Sequence, residues 1–248
     1  MNFEIAGNGN THVGRVRSTN QDNYLCDNRR SLFIVADGMG GHAGGEVASM
    51  LAVTNIRNFL DSNLTPDVIT AGGISAALSI LGDAINFACV KIYERALEEP
   101  SLKGMGTTAT VLRIYDNRLF CGHVGDSRLY LIRCGYIYQI TTDHSFVGEQ
   151  IRAGVMTKQE AERHHLRNVI TRSVGYQEQE DVDTYSLELE AGDIILLCSD
   201  GLHGRVSEET IVNYCHKYGI LAVDHLIAEA NNNGGDDNIS VIICQVKV

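Results

Sequence analysis

Pro100 separates two periodicities, and that division limits what the chain can fold into. Upstream, residues 45–63 (GEVASMLAVTNIRNFLDSN) place Val47, Met50, Leu51, Thr54 and Phe59 near helical spacing. Residues 74–99 do so more clearly, with Ile74, Ala77, Leu78, Leu81, Ile85, Ala88 and Ile92 on one apolar stripe that Pro100 ends. Downstream, 107–141 alternate apolar and polar residues, with breaks at Asp116-Asn117, Gly125-Asp126 and Cys134-Gly135. That pattern predicts an antiparallel meander of four strands. The apolar runs 31–37, 193–201 and 238–246 predict buried strands, and 207–219 and 221–233 two short helices. Helices and strands come in groups rather than in alternation. The expectation is therefore an α+β fold, strands in the middle and helices outside, in place of βαβ units. One domain is expected over 1–248, with a polar, His- and Arg-rich segment at 143–185.

Hydrophobic residues make up 44% of the 248, enough for a sizeable core. Twenty basic against 31 acidic residues give a net charge of −11, which argues against nucleic acid and anionic membranes as partners. The same balance leaves room for an acidic cluster that holds cations. No apolar run approaches the ~20 residues of a membrane helix, so no membrane insertion is expected. The N-terminal residues lack the basic start and apolar stretch of a signal peptide. Seven cysteines, an odd number with no CxxC pair, read as reduced, and the expected location is the cytoplasm.

One event recurs along the chain. An apolar run meets an aspartate: Asp37 after "FIVA", Asp200 after "IILLCS", Asp126 after "FCGHVG", Asp237 before "NISVIICQ" and Asp22 before "NYLC". Strand ends share sheet edges, so separated aspartates can converge on one rim. Converging carboxylates repel unless cations sit among them, and hard ions such as Mg(II) and Mn(II) prefer oxygen ligands. Asp-Gly and Gly-Asp are also ordinary turn pairs, so each site alone reads as a turn. Five glycines crowd the eight residues after Asp37. They imply backbone that bends sharply and lets a carbonyl approach the same ion as Asp37.

Eight blocks in order sharpen this reading: "GRVRSTNQD", "VADGMGGHAGGE", "GTTAT", "GHVGDSRLYLIR", "TTDHS", "RNVITRSVG", "LLCSDGL" and "GGDDNISVII". Together they resemble the bacterial branch of the PPM family of metal-dependent protein serine/threonine phosphatases, from about Gly14 to the last strand. The resemblance implies a four-layer α-β-β-α sandwich, two mostly antiparallel sheets flanked by paired helices. It implies two to three divalent ions, Mn(II) or Mg(II). Asp37 would bridge two of them, the Gly38 carbonyl would bind one, and Asp200 and Asp237 would complete the other site. Asp22 would support the centre directly or through water, and Asp126 with Asp200 would make a third, weaker site. Arg17 would clamp the substrate phosphate, and 143–175 would form a flap beside the cleft. The implied reaction is hydrolysis of phosphoserine and phosphothreonine in proteins by a metal-bridging water. The implied enzyme is a monomer opposing a cognate serine/threonine kinase.

Two positions depart from the wider family. Eukaryotic relatives carry a histidine two residues after the bridging aspartate, where this chain has Met39, with His42 as a candidate proton donor. Many relatives place an acidic residue four positions after the aspartate matched by Asp200, where this chain has Gly204. Two alternatives stand beside the general phosphatase. One is a partner-switching phosphatase dedicated to one regulator, whose members often lack the arginine matched by Arg17. The other is a non-catalytic binding module of the same fold.

Overall fold

The computed structural model describes residues 3–40 and 44–247. In chain order the strands and helices run β1 (Glu4–His12), β2 (Asp22–Asp27), β3 (Leu32–Met39), α1 (Gly44–Asn63), α2 (Pro66–Glu98), β4 (Gly106–Thr107), β5 (Ala109–Tyr115) and β6 (Arg118–Val124). They continue with β7 (Arg128–Arg133), β8 (Tyr136–Gln139), α3 (Phe146–Arg152), α4 (Lys158–Glu162), β9 (Asp183–Glu188), β10 (Ile194–Cys198), α5 (Asp200–His203), α6 (Glu208–Tyr218), α7 (Ala222–Asn232) and β11 (Ile239–Lys247). One sheet has the order β1-β11-β10-β7-β8; the other has β2-β3-β5-β6-β9, with β4 paired to β3. The expected four-layer sandwich is therefore present.

The apolar runs are continuous, not alternating, because both faces of the central strands are covered. In β3, Phe33 and Val35 point between the sheets, where they meet Leu129, Ile195, Leu197 and Ile242 of the other sheet. Leu32, Ile34 and Ala36 point the opposite way, into a core shared with α1 and α2. A third core lies between β7, β10 and β11 and the helices α6 and α7. Each fully buried Ile or Phe here contributes roughly 1.5–3 kcal/mol of hydrophobic stabilisation.

Four sequence expectations need correction. The buried face of α1 is Ala48, Ala52, Ile56 and Leu60, and Met50 is 49% exposed. The helix lies close to the sheet through small side chains, while the larger Val47, Leu51 and Phe59 are only partly buried at the margin of the same core. In α2, Gly73, with φ 65° and ψ −161°, breaks the helix; beyond the break the buried stripe begins at Ala77, and Ile74 is exposed, while Ile69 is buried on the segment before it. The expected meander is two hairpins on two sheets, β5–β6 in one and β7–β8 in the other. Finally, one helix, Pro66–Glu98, is by length and composition apolar enough to cross a membrane. In this fold its buried stripe packs against α1 and the β3–β5–β6 face.

Candidate metal centre

At one rim the chain passes between the sheets or leaves a strand for a helix, and the aspartates lie at those points. β1 of one sheet leads through residues 13–21 to Asp22, the first residue of β2 in the other. β6 leads through Gly125-Asp126-Ser127 into β7, again changing sheet. Asp37 lies near the end of β3, Asp200 follows β10, and Asp237 precedes β11. All five predicted carboxylates thus meet on one rim, Asp22 and Asp37 from one sheet and Asp200 and Asp237 from the other.

Asp37 is held by its backbone. Its N–H donates to Thr108 Oγ1 (2.9 Å), and its carbonyl accepts from the Thr108 N–H (2.8 Å) and from Thr107 Oγ1 (2.9 Å). Thr108 Oγ1 also shares a hydrogen bond with Ser127 Oγ (2.8 Å), so the strand carrying Asp37 is tied to the turn carrying Asp126. Beyond Asp37, the glycines serve close packing. A Cβ on Gly38 would run into Gly45 and into the Gln21 carbonyl oxygen (2.6 Å), and one on Gly45 would meet the Gly38 carbonyl (2.7 Å). The first turn of α1 therefore rests on the strand end, with the Gly38 carbonyl beside it. His42 lies outside the described residues.

Asp22 is buried at 5% exposure and is the end point of a directed chain of donors. Ser199 Oγ donates to Asp22 Oδ2 (2.7 Å) and accepts from the Ser240 N–H (2.9 Å). The Ser240 hydroxyl also reaches the Asp22 carboxyl, and it pairs with Thr11 Oγ1 (2.8 Å), which accepts from Asn20 Nδ2 (2.9 Å). The other carboxylate oxygen, Asp22 Oδ1, is buried without a hydrogen-bond partner, as is Asp200 Oδ1.

These carboxyls strain against one another. Burial raises Asp37 well above the carboxylate range, with the charges of Asp22, Asp200, Asp126 and Asp237 adding to it. Burial pushes Asp22 up to about 7 against its two serine donors, with Asp200 and Asp237 adding to the rise. Burial and the charge of Asp237 bring Asp200 to about 6, opposed by a hydrogen bond from Asp37 and by Arg17. Burial also raises Asp126 well above the usual range, helped by Asp200 and Asp143.

Among the described residues no three His, Cys, Asp or Glu side chains enclose a metal ion by themselves. The rim still fits hard divalent cations. Its donors are all oxygen, two carboxylate oxygens are buried and unpaired, and like charges are crowded where a divalent cation would relieve them. Backbone carbonyls and water would complete the coordination.

Arg17 lies on the same rim, 53% exposed, with its guanidinium 2.8 Å from Asp237 Oδ2. Residues 13–21, which carry Arg17 to Asp22, form a loop. The neighbouring Asp236 pairs instead with Arg205, which removes it from the centre. Met39 is half-buried at the end of β3. Gly204 is the C-cap of α5, and a Cβ there would lie 2.9 Å from the Asp200 carbonyl oxygen. Just before it, His203 Nε2 donates to the Asp126 carbonyl (3.0 Å). Burial, reinforced by the charge of Arg128, lowers this imidazole to about 3, so it is neutral.

The sequence reading missed the residues that hold this rim to the segment at 143–175. His144, fully buried, donates its N–H to the Gly125 carbonyl (2.8 Å) and accepts the Gly125 N–H on Nδ1 (3.1 Å). Its Nε2 donates to Asp183 (3.1 Å), which Arg172 also pairs with (3.0 Å). Arg128 forks onto Asp143 (2.7–3.2 Å); burial raises the Asp143 carboxyl, but the guanidinium outweighs it and the net shift is downward. Gly125 and Arg128 belong to the block "GHVGDSRLYLIR", Asp143 and His144 to "TTDHS" and Arg172 to "RNVITRSVG", while Asp183 lies in none of the blocks.

The profile of the family described as Protein phosphatase 2C matches residues 8–226. The chain belongs to the protein phosphatase 2C family. Within that family it is 37% identical over 239 residues to protein phosphatase PhpP of Streptococcus pneumoniae, covering 94% of each chain. The fold of this protein phosphatase 2C member superposes on the crystal structure of Staphylococcus aureus serine/threonine phosphatase Stp1 with a TM-score of 0.89, at 30% identity and 98% and 96% coverage. It also superposes on the catalytic domain of the serine/threonine protein phosphatase PstP in complex with two manganese ions (TM-score 0.87, 35% identity, 99% and 100% coverage).

Proposed function

We propose that this chain is a metal-dependent phosphatase that hydrolyses phosphoserine and phosphothreonine in proteins. The observation that carries it is the rim itself: five carboxylates, two with buried unpaired oxygens, beside one exposed guanidinium. Asp37, Gly38, Asp22, Asp200 and Asp237 would hold two divalent ions, Mn(II) or Mg(II), and Asp126 with Asp200 a third. Such ions supply, when bound, charge neutralisation for a phosphate dianion and an acidified water as nucleophile. Asp22 is kept in place by Ser199 and Ser240, and Asp37 by Thr107 and Thr108. Arg17 turns from Asp237 to the phosphate, where its planar fork can hold two oxygens and offset charge in the transition state. The presence of Arg17 favours a general phosphoprotein phosphatase over a phosphatase dedicated to one regulator.

Phosphate esters of protein hydroxyls are made by phosphoryl transfer from a nucleoside triphosphate. The opposing reaction is therefore that of a serine/threonine kinase. We place both in the cytoplasm, consistent with seven free cysteines, five of them buried. The deciding test is release of phosphate from phosphothreonine peptides by purified protein. Activity with Mn(II) that is lost on chelation is the expected result; full activity after metal stripping would exclude the mechanism.

A further inference from the structure

Residues 13–21 cross from one sheet to the other without helix or strand, and Arg17 sits in the middle of them. A loop of this kind holds a side chain in place only if its own backbone groups are tied to something fixed. At its ends the Gly14 N–H donates to His12 Nδ1 (2.9 Å) and the Gln21 carbonyl accepts from the Gly38 N–H (3.2 Å) and Ser49 Oγ (2.6 Å), but the groups on either side of Arg17 are tied to one short segment, Gly235–Asn238. The Gly235 carbonyl accepts the N–H groups of Arg15 (2.7 Å) and Val16 (3.3 Å). The Asn238 side chain, 5% exposed, makes three more of these ties. Its Nδ2 donates to the carbonyls of Val13 (2.9 Å) and Thr19 (3.0 Å), and its Oδ1 accepts the Gln21 N–H (2.7 Å). Both amide hydrogens and the amide oxygen are engaged, so the network fixes the amide's orientation. Val13 and Thr19 flank Arg17, so a single side chain closes the loop around it. The Asn238 N–H also donates to Asp237 Oδ1 (2.9 Å), while Arg17 occupies Oδ2 of the same carboxylate.

We propose that Asn238 is the positioning residue for Arg17: it sets where the guanidinium stands relative to the carboxylate rim and so makes the phosphate clamp. This role rests on the phosphatase reading given above. It predicts that losing Asn238 acts through Arg17 and costs no more than losing Arg17 itself. A displacement of about 1 Å at a clamp can lower turnover about 100-fold, so the expected loss is between 10- and 100-fold.

The test is a double-mutant cycle on the Mn(II)-loaded full chain, with a phosphothreonine peptide as substrate. Asn238→Ala should lower kcat/KM about 10- to 100-fold while Mn(II) binding by isothermal titration stays within about threefold of wild type. In the Arg17→Ala background, adding Asn238→Ala should change kcat/KM by less than about threefold. Trypsin should cut after Arg15 or Arg17 faster in Asn238→Ala than in wild type. If the alanine variant does not fold, Asn238→Ser, which keeps one donor, serves in the same cycle. Losses that multiply in the double variant, or a loop as resistant to trypsin as in wild type, would overturn the role of Asn238. An inactive wild type would overturn the phosphatase reading and this role with it, whereas an active wild type with multiplying losses overturns this role alone.

Discussion

Asp22 and Asp37 stand directly opposite one another in the β2–β3 ladder. Residues so paired project from the same face of the sheet, and like charges at this spacing are destabilising by up to about 1 kcal/mol. A fold keeps such a pair only where something else needs both carboxylates. Asp37→Asn should therefore separate stability from activity. Without metal at pH 7.5, the melting temperature should be unchanged or rise by up to about 3 °C. Mn(II) binding should weaken and turnover should fall at least about 100-fold, about 2.7 kcal/mol of transition-state stabilisation. Calorimetry with and without Mn(II), together with peptide turnover, checks both halves. A variant that keeps wild-type turnover removes Asp37 from the centre.

Proton displacement gives a second expectation. Without metal, burial and mutual repulsion shift Asp37 and Asp126 well above the usual carboxylate range, Asp22 up to about 7 and Asp200 up to about 6, so that between pH 8 and 6 protons compete for the site increasingly as pH falls. A cation must expel those protons to bind. Affinity should fall as pH drops from 8 to 6, by roughly tenfold per unit for each proton displaced. Titration calorimetry in buffers of different ionisation enthalpy would count the protons released. Affinity independent of pH, with no proton release, would contradict the coupling of these carboxyls.

The arginine is tested by its shape as well as its charge. Its ion pair with Asp237 is exposed and worth only about 0–1 kcal/mol of stability, so Arg17→Ala should fold and bind metal normally. Loss of the fork should cost about 30- to 1,000-fold in kcat/KM, or roughly 2–4 kcal/mol. Arg17→Lys keeps the charge and should recover only part of this. An alanine variant within about threefold of wild type takes Arg17 out of the site.

Asp126 should behave differently from the core ligands. It lies on the Gly125–Ser127 turn, and its backbone is held by His203. Asp126→Ala should retain two metals yet lose roughly tenfold in turnover, about 1.4 kcal/mol. A crystal of the variant holding only one metal would show that Asp126 belongs to the core pair.

What could be read from the sequence follows from how local each signal was. Asp37, Asp200 and Asp237 stood out because apolar runs stop or begin beside them, and a buried strand has one phase to find. The phase of α1 was misread because its buried face is built from Ala48 and Ala52, which carry little hydrophobic signal. β1 left no pattern: its Gly and Asn residues sit in an edge strand whose pairing with β11 supplies the order, and Gly7 is there because Phe33 presses against it. β9 was hidden in a polar segment for the same reason, its partner β6 lying over sixty residues away. The hydroxyl chain through Thr11, Ser199 and Ser240, and the anchoring amide of Asn238, involve common residue types far apart in sequence. Only the tertiary arrangement gives them meaning.

The division of the carboxylates between the two sheets has a mechanical side. Asp22 and Asp37 belong to one half of the sandwich, Asp200 and Asp237 to the other, so a cation held among them would be a rivet through both plates. Any ligand that binds only the assembled protein raises its stability by RT ln(1 + [L]/Kd), about 2.7 kcal/mol at a hundredfold excess over Kd. Starvation for divalent ions would thus do more than silence the centre. It would loosen the seam between the sheets and shorten the life of the chain, so that supply of the metal governs how much of the protein endures as well as how fast each copy works.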